Sequence, residues 1–173
     1  MEHWAVEPEV LKLYAKHYET REVIPDELIT KIQNQGTFNQ GFMTTELLAA
    51  ALLDMELHNL TDTENLNVVA FEKETMDKLG LIPEIAPRYR ATYFSHIIGG
   101  YAAGYYSYLW AEVLDTDAFE AFKEHGVFDK NTADSFRKNI LEKGGTEDPM
   151  TLYRGFRGAD PSLEPLLKNR GLK

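Results

Sequence analysis

The sequence predicts an all-α fold, and three observations carry that expectation. Apolar residues recur at spacings of three and four through most of the 173 residues. Asp, Asn or Pro stands ahead of these periodic runs and glycine follows them, which is how helices start and stop. No run of strand length alternates apolar and polar residues between turn signals, and no repeat of fixed length recurs.

The elements follow in order. Val6, Val10, Leu13, Tyr14, His17 and Tyr18 make one face of a first helix. "IPDELITKIQNQG" has proline and acids at its start and Gly36 at its stop. "TTELLAAALLDMELHNL" is apolar around most of its circumference through Leu53 and reads as a buried helix. "TENLNVVAFEKETMDKLG" supplies another, closed by Gly80. Residues 81–97 read as irregular, because Pro83 and Pro87 restrict the residues before them. Helical spacing resumes near Tyr101 and runs to near Val113. "DTDAFEAFKEHG", "NTADSFRKNILEKGG", "EDPMTLYRGFRG" and "DPSLEPLLKNRG" then read as short capped helices. Residues 1–173 are expected to form a single helical unit without an internal linker.

Composition narrows the function. Hydrophobic residues make up 43% and charged residues 27%, as in ordinary globular domains. No apolar run approaches the ~20 residues of a membrane span. "MEHWAVEPEV" lacks the basic-then-apolar order of a signal peptide. The absence of cysteine excludes a disulfide framework, a thiol nucleophile and cysteine-ligated zinc, and it fits a reducing compartment such as the cytoplasm. The net charge of −10 sits entirely in the first half: residues 1–87 hold 16 acids and 6 bases, whereas residues 88–173 hold 12 of each. That charge argues against nucleic acid as a partner, and nothing points to a membrane.

Familiar catalytic signatures are missing. The histidines are His3, His17, His58, His96 and His125, and the nearest two are fourteen residues apart. No helix can therefore present two imidazoles one turn apart as an HExxH zinc site does. GxSxG, Walker A and Rossmann glycine patterns are absent, as is calcium-loop spacing. Acidic pairs such as Glu72 and Glu74 read as solvated charge on a helix surface.

One segment is unusual. "FSHIIGGYAAGYYSYLW", residues 94–110, follows closely on Tyr89, and six of the nine tyrosines fall between Tyr89 and Tyr108. If helix begins near Tyr101, then Tyr101, Tyr105 and Tyr108 share a face, while Tyr106, Leu109, Trp110 and Val113 share a more apolar one. Gly104 would admit a neighbouring backbone or ligand, and Gly99 and Gly100 would free the loop after His96. Two readings stand. The segment is either an aromatic helix packed all round, which spacing alone favours, or a binding helix behind a mobile loop. Neutral phenols suit an oxygen whose negative charge grows during reaction.

At these residues a resemblance enters. "RYRATYFSHIIGGYAAGYYSYLWAEVL" resembles the carboxy-terminal part of zinc metallopeptidases of the thimet oligopeptidase and peptidyl-dipeptidase (dipeptidyl carboxypeptidase) family. "MEHWAVEPEVLKLYAKHYETREVIPDELI" is similar to the region after that family's last zinc ligand, and "ILEKGGTEDPMTLYRGFRGADPSLEPLLKNRGL" to its terminus. The wording is closer to the peptidyl-dipeptidase branch. The resemblance implies a multi-helical fold, short peptide substrates and a zinc site whose ligands lie upstream, in a missing amino-terminal portion of the catalytic domain. No zinc is then expected in this chain alone, which is expected to be inactive by itself. Met1 is similar to a methionine inside longer members, so the chain is expected to be an excised portion or the product of a truncated reading frame.

Carried over singly, His96 matches a histidine that bonds the peptide near the scissile bond, and Tyr101 a tyrosine beside the reacting carbonyl. Tyr108 matches the tyrosine that stabilises the oxyanion. Tyr105 matches a position linked to subsite preference, and Gly99, Gly100 and Gly104 match a glycine-rich loop that closes over substrate. A core or surface reading is kept for Tyr106, Trp110, Trp4 and Tyr14, and for His3, His17, His58 and His125. Arg88 or Arg90 is the candidate cation for a peptide carboxylate. The rival expectation is a helical peptide-binding module without catalysis.

Overall fold

A computed structural model describes residues 2–173, so Met1 lies outside the described residues. Among the described residues the chain is all-α: nine α-helices, short 3-10 turns and one π-helical turn, with no strand beyond an isolated antiparallel bridge between Lys16 and Val23. No helix among them is long and apolar enough to cross a membrane. Backbone contacts divide the chain into two compact units, one made of the chain through Phe38 with Glu112–Lys173, the other of Asn39–Ala111.

The first unit opens with α1 (Glu2–Val6) and α2 (Pro8–Tyr14). These replace the single expected helix, because Pro8 holds Glu7 in an extended conformation between them. Helix ends at Tyr14 rather than Tyr18. His17 and Ala15 then exchange backbone hydrogen bonds with Glu22 and Ile24, closing a short loop through Arg21 at φ 63°. α3 (Asp26–Thr37) begins behind Pro25 and runs one residue past Gly36.

After Glu112 this unit contains most of α6 (Ser107–His125), one helix where two were expected. α7 (Lys130–Phe136) is capped by Asp129, which accepts from the Thr132 amide at 2.7 Å, and it runs on as a π turn over Arg137–Leu141. α8 (Pro149–Arg157) is capped by Asp148 and stopped by Gly158 at φ 79°. α9 (Glu164–Asn169) ends before Gly171, whose backbone is left-handed and whose added Cβ would meet the Thr37 side chain at 3.0 Å.

The core of this unit is aromatic. Phe119, Phe122 and Val127 are buried, and Trp4, Val10, Phe136 and Phe156 pack on them. Trp4 meets Phe119 and Phe122 edge-on at 4.5 and 4.6 Å and donates its indole N–H to the Val127 carbonyl. Beside them Tyr153 donates to the buried Asp117, while Arg157 spans the Glu124 carboxylate with two bonds of 2.9 and 2.7 Å. Both contacts shift titration: burial first, then the Asp117 contact, push the Tyr153 phenol up, and the Arg157 hydrogen bond holds Glu124 below the usual carboxylate range.

The second unit is built on α4 (Gln40–His58) and α5 (Val68–Lys78). The Asn67 side chain caps α5 through the Ala70 amide, and Gly80 ends it at φ 70°. Small side chains let α4 be approached from two directions. Ala49 and Leu53 pack with Met76, whereas Ala50 and Ala51 pack with Phe94, Ile97 and Tyr105. Leu48 and Leu52 remain 38% and 42% exposed, so the run 47–53 is buried along only part of its circumference. Glu72 is a correction to its surface reading. It is 3% exposed and accepts from Arg90 and from the Ala91 amide. Glu74 stays exposed.

Phe122, at 3% exposure among Phe119, Phe136, Phe156 and Trp4, carries the stability of the first unit. Phe122→Ala is expected to destabilise it by about 3–5 kcal/mol, read as a lowered denaturant midpoint. A loss below about 1 kcal/mol would show a site that collapses freely.

Candidate active site

The aromatic segment lies wholly in the second unit, with one short 3-10 turn, Ala91–Tyr93, just before it and another, Ser95–Ile98, within it. Residues 99–106 form successive turns, and α6 begins only at Ser107. Tyr101 and Tyr105 therefore precede the helix on which spacing had put them. The cause is Ala103, left-handed at φ 52°, which interrupts any helix beginning at Tyr101. Its turn is closed by the Gly104 amide donating to the Tyr101 carbonyl at 2.9 Å.

The rings nevertheless meet. Tyr101 and Tyr108 stack at 5.4 Å, and Tyr105 meets Tyr108 edge-on at 5.1 Å. The His96 ring lies 5.9 Å from Tyr101, 5.2 Å from Tyr105 and 6.0 Å from Tyr108, with Tyr89 at 4.8 Å. Exposure falls steeply through the cluster. Tyr101 and Tyr108 are 45% and 42% exposed, whereas Tyr105 is 3% and Phe94 1% exposed. His96 is half-buried, and its Nδ1 is enclosed without a hydrogen-bond partner.

This sorts the expected site residues. His96, Tyr101 and Tyr108 come together with two phenol rings accessible. Tyr105 joins the same cluster from beneath, as part of the core with Phe94 and Ile97. A side chain built on Gly99 or Gly100 would meet nothing within 4 Å, so those positions are open. At Gly104 the nearest atom is the Tyr101 carbonyl oxygen at 3.4 Å, in its own turn. The interruption at Ala103 also moves the apolar face. Tyr106 and Trp110, expected to pack, are 53% and 45% exposed, while Val113 is buried.

The remaining candidates lie elsewhere or are engaged. Arg90 is taken up by Glu72. Arg88 donates its amide to the Glu46 carbonyl, and its charge pulls against the rise of the Tyr105 pKa. His3 reaches Asp115 at 2.8 Å on an open groove of about 570 Å³ in the first unit. His17 and His125 serve local backbone contacts. Tyr14 is exposed and donates to the Ala5 carbonyl.

Sequence reasoning missed Asp54. It is 0% exposed, and its two oxygens accept from the Ala103 and Tyr105 amides at 2.9 Å each. His58, one turn on, approaches the same carboxylate at 2.9 Å. The signal was present: an acid inside the apolar run "AAALLDMEL" is costly unless it is answered.

Among the described residues no group of three or more His, Cys, Asp or Glu side chains could hold a metal ion.

The sequence model of peptidase family M3 matches residues 1–172. The chain belongs to peptidase family M3. It is 45% identical over 178 residues to the dipeptidyl carboxypeptidase of Escherichia coli K12, covering 99% of this chain and 26% of that protein. It is 39% identical to the oligopeptidase A of the same organism, over 100% of the chain and 26% of that protein. Saccharolysin of Saccharomyces cerevisiae is 30% identical, with the chain covering 25% of its length. The chain thus spans roughly a quarter of each of these relatives.

Burial raises the Tyr105 pKa, and a hydrogen bond with Tyr101, followed by desolvation, raises that of Tyr108. Ultraviolet titration of the protein should show phenols ionising above the usual range near ~10, with Tyr105→Phe removing one of the late ones. Ionisation of every tyrosine in the ordinary range would contradict the packing of this cluster.

Proposed function

We propose that this chain supplies the substrate-facing, oxyanion-stabilising part of a peptidase that hydrolyses short peptides. The observation that carries the reading is the cluster itself: His96 beneath two stacked, accessible phenols, in a chain of peptidase family M3. The names of the relatives, dipeptidyl carboxypeptidase and oligopeptidase A, support peptides as substrates. On this reading the zinc of the whole enzyme is held by residues upstream of this chain, whose own groups bind and orient the peptide.

An enclosed Nδ1 without an acceptor cannot hold a proton at low cost, so the proton of neutral His96 resides on Nε2. His96 is then an N–H donor, suited to a peptide carbonyl and to setting the register of the chain. The Tyr108 phenol is neutral near pH 7, as phenols ordinarily are, and its hydrogen bond with Tyr101, stacked against it, moves its pKa further up. A phenol that stays neutral donates to a carbonyl oxygen as it gains charge, and it does so more strongly in the transition state than in the ground state. Gly99 and Gly100 give the intervening loop room to close on the peptide. Tyr105 acts through packing, since its ring carries Tyr108.

Tyr108→Phe in the whole enzyme is expected to lower kcat by about 100- to 1000-fold with little change in KM. Near-normal turnover would remove the oxyanion role and leave peptide binding as the chain's contribution. Arg88 is the cation assigned to the peptide's terminal carboxylate, because Arg90 already answers Glu72. Arg88→Gln should raise KM by about tenfold for peptides with a free carboxy-terminus and leave amidated peptides unaffected. Equal effects on both would end that assignment.

A further inference from the structure

Two buried carboxylates hold the two ends of the stretch 90–105. Glu72, on α5, accepts from Arg90 and the Ala91 amide at its beginning. Asp54, on α4, accepts from the Ala103 and Tyr105 amides at its end. Between these anchors lie His96, Gly99, Gly100 and Tyr101, with Ile98 84% exposed.

We propose that Asp54 is a positioning residue for the Tyr101–Tyr108 pair, acting through the left-handed turn at Ala103. The inference rests on the peptidase reading above. An alanine at φ 52° is in a conformation that L-residues avoid, and the apolar spacing on either side favours plain helix. The amide of that same residue, and the next but one, are the two that Asp54 receives. The carboxylate therefore stabilises the turn against relaxation to helix, and the turn decides where Tyr101 stands relative to Tyr108 on the first turn of α6. In the turn the two rings stack at 5.4 Å with both residues exposed in part. His58 stands on the more exposed side, its side chain 34% exposed, with Nδ1 2.8 Å from the Asp54 backbone carbonyl and 2.9 Å from the carboxylate. Asp54 is shut off from water, so these backbone donors stand in for hydration of its oxygens.

Asp54→Asn is a sharp probe because both oxygens accept from N–H groups. The isosteric amide must point its own NH2 at one of them. The test is a double-mutant cycle in the whole enzyme that carries this chain, measuring kcat and KM for Asp54→Asn, Tyr108→Phe and the pair. Asp54→Asn alone should lower kcat by about 10- to 100-fold and shift KM little. In the Tyr108→Phe background the same change should cost far less, since the group it positions is gone. A merely structural aspartate would reduce the folded fraction, and hence kcat, by the same factor in both backgrounds. That result, or no loss of kcat in either, overturns the proposal. Full turnover by Tyr108→Phe while Asp54→Asn is impaired would defeat the oxyanion reading instead.

Hydrogen exchange provides an arm independent of activity and of the variant's folding. In the unsubstituted protein the Ala103 and Tyr105 amides should exchange more slowly than those of Gly99 and Gly100. Fast exchange at Ala103 and Tyr105 would overturn the anchor outright.

Discussion

A carboxylate placed in a helix of leucine and alanine must be answered by donors or it unfolds its surroundings. Asp54 is answered by two amides that stand 49 and 51 residues further along the chain. Hydrogen bonds to a buried charge are worth roughly 1.5–3 kcal/mol each, and leaving one unmade costs a comparable amount. The turn before α6 is therefore tied to α4 by an energy that local backbone preference does not override. The left-handed Ala103, the stacked phenols and the late start of α6 all follow from that tie. Glu72 does the same for the beginning of the segment, so its ends are fixed and its middle is left open.

Within the segment burial falls off steeply, from Phe94 and Tyr105 to Tyr101 and Tyr108. Phe94 and Tyr105 form a dry base with Ile97, Ala50 and Ala51, and His96, Tyr101 and Tyr108 rise from it. One nitrogen of the imidazole is enclosed without a hydrogen-bond partner. The hydrogen bond with Tyr101, followed by desolvation, raises the pKa of the Tyr108 phenol. The first unit needs no such gradient. Its phenylalanine cluster, the Tyr153–Asp117 contact and the Arg157–Glu124 pair make a closed core in which each buried polar group has a partner.

Much of the fold was legible in the residues because helix signals are local. Asp148 caps the helix it precedes, and Gly80 and Gly158 end theirs, as expected from the sequence, while Asn67 and Asp129 cap α5 and α7 without having been singled out. Register was not legible. Pro8 divides the first helix, α6 starts six residues late and then absorbs the next element, and Tyr106 and Trp110 turn outward. Each displacement has a cause beyond nearest neighbours or in one residue's backbone: the pairing of residues 15–17 with 22–24, or the amides claimed by Asp54.

By itself the sequence determined the helical class, most helix ends, and the family wording that singles out His96, Tyr101 and Tyr108. Those depend on side-chain shape, spacing and identity, which are properties of short stretches. Tertiary structure alone decided that the three gather around one point, that Tyr105 supports from below, and that Asp54 and Glu72 are anchors rather than surface charge. Burial is a relation between segments distant in the chain, and a carboxylate's role follows from which donors reach it. No local pattern encodes that.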